Sequence, residues 1–413
     1  MTKIAKLWIF SILTSVALAQ DVPVSLQTLI AEARQNDAAI RAADRAIDTS
    51  RYGPAQASAL PDTEVMLQHF SVGSPRPFAG YSNSDFAYIG FGASQELPYP
   101  GKRGLRAQVA QHEVAISGAE KNAVVRDVIT RLKLAYFQLA ASQQIISILE
   151  KNQQTAEQVH QAAEARYRIG EGTQGDVLRA QLQRTKLLNE LSMQRRESAQ
   201  AQAALKALLN RAPESPDVVA EPLSVRHLPS AENLRTTLRE KNPDLQTSAE
   251  RISQSQTAVE LAKREKKPDF GVQYMWQHTA SNFRDYYMAT FSVRLPNRSR
   301  VRAMEGEAEA KLAQAQAEKE SRLKQMESDL GEQTAVVQTS EQQLNVYEQG
   351  LIPQSEAALN AGLAGYRAGK QEYQGLLASF ADILQLAIER ERALAEHESA
   401  IARIEGLIGE EIQ

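Results

Sequence analysis

Apolar positions recur at helical spacing through most of this chain. Val124, Val128, Leu132, Ala135 and Leu139 fall three or four residues apart with charged residues between them, the stripe of an amphipathic helix. Residues 101–212 contain no proline and are dense in Ala, Gln, Glu, Leu, Arg and Lys, all good helix formers. Residues 298–352 read the same way. Each helical stretch is punctuated once. The first mark is Arg166-Tyr167-Arg168-Ile169-Gly170-Glu171-Gly172-Thr173-Gln174-Gly175-Asp176, and the second is Gly365-Tyr366-Arg367-Ala368-Gly369-Lys370-Gln371-Glu372-Tyr373. Glycine takes the left-handed conformation that ends a helix, and helical pattern resumes directly after. Both marks therefore predict tips of antiparallel helical hairpins, at about 166–176 and 365–374. Pro98 to Gly170 and Pro296 to Gly369 are nearly equal in length, so each arm would reach roughly 105 Å at the helical rise.

Residues 62–99 and 269–297 differ from the rest. They hold more than half of the aromatic residues, including Phe86, Tyr88, Phe91, Tyr274, Trp276 and Phe291. Strands are expected at about 62–72, 84–97, 269–279 and 285–295, with turns at Gly73-Ser74-Pro75 and Ser281-Asn282. The fold class is mainly α with a small β part, built from long hairpins and four strands.

The chain is also written twice. Val65-Met66-Leu67-Gln68-His69 returns as Tyr274-Met275-Trp276-Gln277-His278, Leu97-Pro98 as Leu295-Pro296, and Tyr167-Arg168-Ile169-Gly170 as Tyr366-Arg367-Ala368-Gly369. Residues 20–210 form the first repeat and 231–413 the second. Residues 211–230, with Pro213, Pro216, Pro222 and Pro229, form the linker.

Residues 1–19 read as a cleaved signal peptide. Lys3 and Lys6 are its positive region, Leu7–Val16 its apolar core and Ala17-Leu18-Ala19 its cleavage site. The formal net charge is −3, and losing Lys3 and Lys6 makes it more acidic, which predicts no nucleic-acid partner. Without cysteine, the exported protein has neither disulfides nor an N-terminal cysteine for a lipid. No later stretch suits a membrane-spanning helix, so a membrane form must be a β-barrel. Four strands cannot close one. Three copies would give twelve, an even number in the range of outer-membrane barrels, with aromatic girdles at its interfaces.

The duplicated Tyr-x-x-Gly tips, followed by Val177-Leu178 and Gln181 and by Leu376-Leu377, resemble the outer-membrane efflux protein (TolC-like) family. So do the strand-to-helix junction Gln95–Arg103 and the element Leu351–Glu356, which reads as a turn-rich step above the second tip. The resemblance covers essentially the mature chain. It implies a homotrimer with a twelve-strand barrel among outer-membrane lipids and a helical tube in the periplasm. It implies no enzyme activity and no cofactor. It also implies docking of the tips on a periplasmic adaptor (membrane fusion) protein, coupled to an inner-membrane pump, expected to be proton-driven. By that resemblance the docking candidates are Arg166, Tyr167, Ile169, Gly170, Gly172, Thr173, Tyr366, Arg367 and Gly369. Glu372 and Tyr373 are the candidate constriction, because Gly375 and Ala378 stand where the family often places aspartates. The junction and the Leu351–Glu356 element are most similar to members serving heavy-metal cation efflux. Drug or small-molecule efflux and type I secretion are the alternative cargoes.

Competing chemistry is weak. Gly170-Glu171-Gly172-Thr173-Gln174-Gly175 matches the dinucleotide fingerprint in form, but helix precedes and follows it where a βαβ unit is required. His69 and His278 hold equivalent repeat positions near methionines and are weak metal candidates. The simpler reading is that ancestry kept both on strands facing wall or lumen. Glu305, Glu307 and Glu309 belong to a solvated helix face. A periplasmic adaptor would carry one hairpin, and a structural coiled coil would lack the aromatic strands.

Overall fold

The computed structural model describes residues 23–71, 76, 86–279 and 285–412. The signal peptide at 1–19 and the turns Gly73–Pro75 and Ser281–Asn282 lie outside the described residues.

The chain opens with three short helices, α1 (Leu26–Asn36), α2 (Ala38–Ser50) and α3 (Gly53–Ser58). Asp37 starts α2, its carboxylate accepting from the Ala39 and Ile40 amides at 2.8 and 3.0 Å, which satisfies orphan donors of the first turn. Strands β1 (Glu64–Phe70) and β2 (Tyr88–Leu97) follow, then α4 (Lys102–Arg168) and α5 (Gln174–Leu208). The second repeat opens with α6 (Ala231–Lys241) and α7 (Pro243–Arg264), continues through β3 (Asp269–Thr279) and β4 (Asp285–Arg294), and enters α8 (Arg298–Val346). A π turn at Tyr347–Leu351 joins α8 to α9 (Ile352–Arg367), and α10 (Tyr373–Ile408) returns.

The π turn corrects the expected step at Leu351–Glu356. The helix does not break there. The Ile352 amide reaches back to the Tyr347 carbonyl, one residue further than in an α-helix, and the extra residue accommodates Pro353, which has no amide hydrogen. Each repeat therefore carries one near-continuous arm: 67 residues in α4, about 100 Å long, and a similar length from Arg298 to Arg367. The α4 helix packs along α2, α3 and α5, and α8–α9 along α7 and α10. The two arms are joined where α7 and α10 also pack on α4.

Apolar clusters run down this assembly instead of forming one globular core. Near its middle, Leu29, Leu132, Leu139 and Leu205 are fully buried. The linker is strapped across the helices. Val24 bridges Ala220, and the Tyr136 hydroxyl donates to the Val24 carbonyl and accepts from the Glu221 amide, at 3.0 and 2.9 Å. Beside it, Arg226 binds Glu398 at 2.6 Å and Glu405 at 2.9 Å, and buried Lys133 binds Glu405 at 2.9 Å. The linker, α4 and α10 thus share one ion network.

All four strands form one antiparallel sheet in the order β1-β2-β3-β4. Its attachment to the helices includes an ionic cluster. Lys102, 1 % exposed, places its ammonium 2.9 Å from Asp269, 2.8 Å from Glu265 and 3.0 Å from the Lys267 carbonyl. Asp269 also accepts from the Tyr99 amide at 2.8 Å. Gly101, at φ 94°, makes the left-handed turn that brings the start of α4 against this cluster.

Candidate functional site

Two regions have exposed or chemically distinctive surfaces: the hairpin tips and the sheet. At the first tip, the Gly170 amide donates to the Tyr167 carbonyl, and the Glu171 and Gly172 amides donate to Arg166 at 2.9 and 3.1 Å. At the second, Gly369 donates to Tyr366 and Lys370 to Gly365. Gly170 and Gly369 have φ of 80° and 72°, so each Tyr-x-x-Gly is a helix C-cap closed by a left-handed glycine. Thr173 and Asp176 then form a reciprocal capping box that starts α5. The formal dinucleotide fingerprint lies wholly within this helix-to-helix turn.

The tip residues divide into two groups. Tyr167 and Ile169 project outward, 48 % and 69 % exposed, and Gly170, Thr173 and Gly369 are exposed beside them. Arg166 and Tyr366 instead hold the hairpins together. The Arg166 guanidinium sits over the Tyr366 ring, 4.9 Å from its centroid, and donates to the Tyr366 carbonyl at 3.2 Å. Arg179 adds a second tie, its guanidinium nitrogens meeting the Gln374 amide oxygen at 3.2 and 2.5 Å. Gly172 packs close under the Tyr167 and Arg166 backbone, and Arg367 is the last residue of α9.

Glu372 is exposed, while Tyr373 is buried at 3 % and packs edge-on against Tyr366 at 5.6 Å. Tyr373 thus faces the seam between hairpins instead of an open axis. Burial pushes its phenol well above the ordinary range, with Tyr366 and Asp176 adding to the rise. Burial raises Tyr366 too. Both rings are neutral at physiological pH.

The sheet has two unlike faces, fixed by its register. Directly opposed residues on antiparallel strands project to one side. Val65, Leu67, Ile89, Phe91, Val272, Tyr274, Trp276, Tyr287, Phe291 and Val293 share one face, and most are exposed large apolar side chains. The other face carries Glu64, Gln68, Ser94, Gln273, Gln277, Thr290 and Ser292, with Met66, Met275 and Met288. In β3 this second face is the more covered: Val272, Tyr274 and Trp276 are exposed while Met275 is fully buried.

His69 and His278 both lie opposite Ile89. They sit on the apolar face with a strand between them, about 10 Å apart, so the weak metal assignment finds no shared ligand geometry. His278 pairs with Asp285 at 2.9 Å. Among the described residues, no group of three or more His, Cys, Asp or Glu side chains could hold a metal ion.

Comparison with known proteins now bears on both regions. Residues 29–211 match the model of the outer membrane efflux protein family. The fold is that of outer-membrane channels. VceC from Vibrio cholerae aligns with a TM-score of 0.79 at 20 % identity, over 94 % of this chain and 97 % of that one. CusC aligns at 0.81 and 15 %, over 95 % and 96 %. The open-state MtrE channel of Neisseria gonorrhoeae aligns at 0.77 and 19 %, over 93 % and 89 %. No curated relative matches the sequence.

In an outer membrane efflux fold the two faces acquire a meaning. An apolar outer face with exposed aromatics suits lipid, and a polar face with small residues suits a lumen. No helix among the described residues is long and apolar enough to cross a membrane. Sequence reasoning did not single out the methionine row. The signal was present: Val65, Leu67 and His69 alternate with Met66 and Gln68, and strand parity alone separates them.

Proposed function

We propose that this chain is the outer-membrane channel subunit of a tripartite efflux system, a passive conduit that performs no covalent chemistry. The observation that carries it is the four-stranded sheet with an exposed apolar face and two open edges, β1 and β4. Alone it leaves unpaired backbone groups, which a bilayer does not tolerate. Three copies pairing β4 of one to β1 of the next would close twelve strands, with the helical arms continuing as a tube. Exposed Leu178 and Leu182 on α5 give the arms an apolar surface for a neighbouring copy.

In this reading residues 1–19 direct export, and residues 20–210 and 231–413 are the two repeats joined by 211–230. The exposed tips, led by Tyr167 and Ile169, dock a periplasmic adaptor (membrane fusion) protein, and an inner-membrane, proton-driven pump supplies the energy. Exposed Glu372 from three copies surrounds the axis, with Tyr373 behind it in the seam. Heavy-metal cations are the cargo favoured by the junction Leu97–Arg103. Purified protein tests the channel reading. Heat-modifiable trimers from outer-membrane fractions, with single-channel conductance in planar bilayers, would support it, and a soluble periplasmic monomer without conductance would overturn it. Sensitivity of a deletion strain to copper, silver, zinc, cobalt and cadmium tests the cargo. Wild-type tolerance to all five, in a strain with no substitute channel, would refute it.

A further inference from the structure

One row of the sheet remains unexplained by a passive wall. Met66, Gly92, Met275 and Met288 stand directly opposite one another across β1, β2, β3 and β4, so all project to the same, more polar face. This row contains three of the seven methionines in the sequence, as many as all the far longer helices together, which hold Met193, Met304 and Met326. Gly92 is the gap between them. A β-carbon there would come within 3.2 Å of the Met275 terminal methyl, so Met275 lies over β2 and points towards Met66. From the other side, the Gln273 amide on β3 approaches the Met66 sulfur at 3.9 Å, so Met66 leans across the same glycine. The Gln277 amide meets the Met275 sulfur at 3.4 Å. The next row down the face, Gln68, Gly90 and Gln277, repeats the arrangement with amides.

We propose that Met66, Met275 and Met288 form a thioether site for a soft monovalent cation, Cu(I) or Ag(I), on the lumen wall. Thioether sulfur is a neutral, polarisable donor that selects soft cations over hard or borderline ones. No carboxylate or basic side chain stands in that row, so it compensates one positive charge poorly and two worse. Neutral donors hold a monovalent ion without trapping it, as a conduit requires. Gly92 is essential to the geometry, because any side chain there would part Met66 from Met275. The site rests on the channel reading for its place in a lumen, but its chemistry belongs to one chain. In a closed trimer three such rows would lie at one height and give the ion successive ligands around the wall.

Methionine also fills gaps in apolar cores, and the test separates that role from ligation. Silver binding to purified trimer in detergent is measured by isothermal titration and by metal content after gel filtration. Wild type is compared with Met66→Leu, Met288→Leu and the triple Met66→Leu, Met275→Leu, Met288→Leu variant, since leucine preserves volume and removes sulfur. Met193→Leu, Met304→Leu, Met326→Leu, with substitutions only in helices, is the control. The proposal expects each single variant to weaken binding about tenfold or more, the triple to lose it and the control to keep it. Equal silver binding by wild type and the triple variant would overturn it, as would loss in the helix control alone. Should the triple variant fail to assemble, the two single variants decide by the same criterion. Conductance measured on the same samples tests the channel reading separately: a conducting trimer that binds no silver refutes the site and leaves the channel standing.

Discussion

Arg166→Ala should loosen the two hairpin tips of each chain and make the conduit leak. The Arg166 side chain is 23 % exposed and makes two contacts to the other hairpin: the hydrogen bond to the Tyr366 carbonyl at 3.2 Å and the stacking over its ring at 4.9 Å. A hydrogen bond from a charged donor contributes about 1.5–3 kcal/mol, and a cation over an aromatic ring adds about 0.5–2 kcal/mol. The 3.7 Å approach to exposed Glu171 adds little after solvent screening. Two features reduce the total: water can replace the guanidinium at a carbonyl near a helix end, and Arg166 Nε is buried without a hydrogen-bond partner. A net of about 2 kcal/mol is the reasoned lower value, which corresponds to about 30-fold in the ratio of joined to parted tips. The assay is single-channel recording of open probability in planar bilayers, with uptake of a bulky antibiotic by whole cells as a second readout. Arg166→Lys keeps the charge but loses the planar fork and should fall between wild type and alanine. An alanine variant with wild-type open probability and an unchanged melting temperature would refute the reasoning, because the lock would then be irrelevant to tip separation.

Two further predictions concern stability. Lys102→Met removes the ammonium that lies between Asp269 and Glu265, whose side chains are 19 % and 15 % exposed, and unpartnering such buried charges costs about 3–5 kcal/mol. The Tyr99 amide and Arg106 remain as partners, so the lower end is expected in denaturant unfolding of the trimer, and a loss below about 1 kcal/mol would contradict the anchor. The second concerns acid. Burial opposes ionisation of Glu398, but its bond with His397 and the attraction and bonds of Arg226 outweigh this and hold its carboxyl below the ordinary value of 4.5. A depressed folded pKa gives stability that is present above the unfolded value and is lost as pH falls through the folded one. Melting temperature should therefore be insensitive to this group at neutral pH and drop below about pH 4.5. In Glu398→Gln the acid limb should be shallower, and an acid limb as steep as wild type would exclude Glu398 as a contributor.

What the sequence revealed and what it hid follow from the range of the forces involved. Gly170 and Gly369 were legible because a left-handed cap is a local necessity, and their matching Tyr-x-x-Gly context exposed both tips. The strands were legible through aromatic content and turn residues. Pro353 misled, since a proline signals a break locally. There, Tyr347 reaching Glu389 at 3.3 Å and Arg390 reaching Glu348 at 2.7 Å hold the helix against α10, and a π turn absorbs the missing amide hydrogen. Tyr373 was recognisable as an aromatic near a tip, but its direction depends on Tyr366, which packs on it from another helix and is itself held by Arg166. Lys102, one of two adjacent basic residues in a polar junction, gave no sign of burial, because its partner Asp269 is 167 positions away. The histidines show the opposite case. Their equivalence in the repeat put them on one face, and parity with Val65 and Leu67 already assigned that face to the apolar side. The same parity places the methionines on the opposite face, so the sheet separates its imidazoles from its thioethers. Only the ladder shows that Gly92 lies between Met66 and Met275, and that glycine turns two repeat-related methionines into neighbours able to converge on one ion.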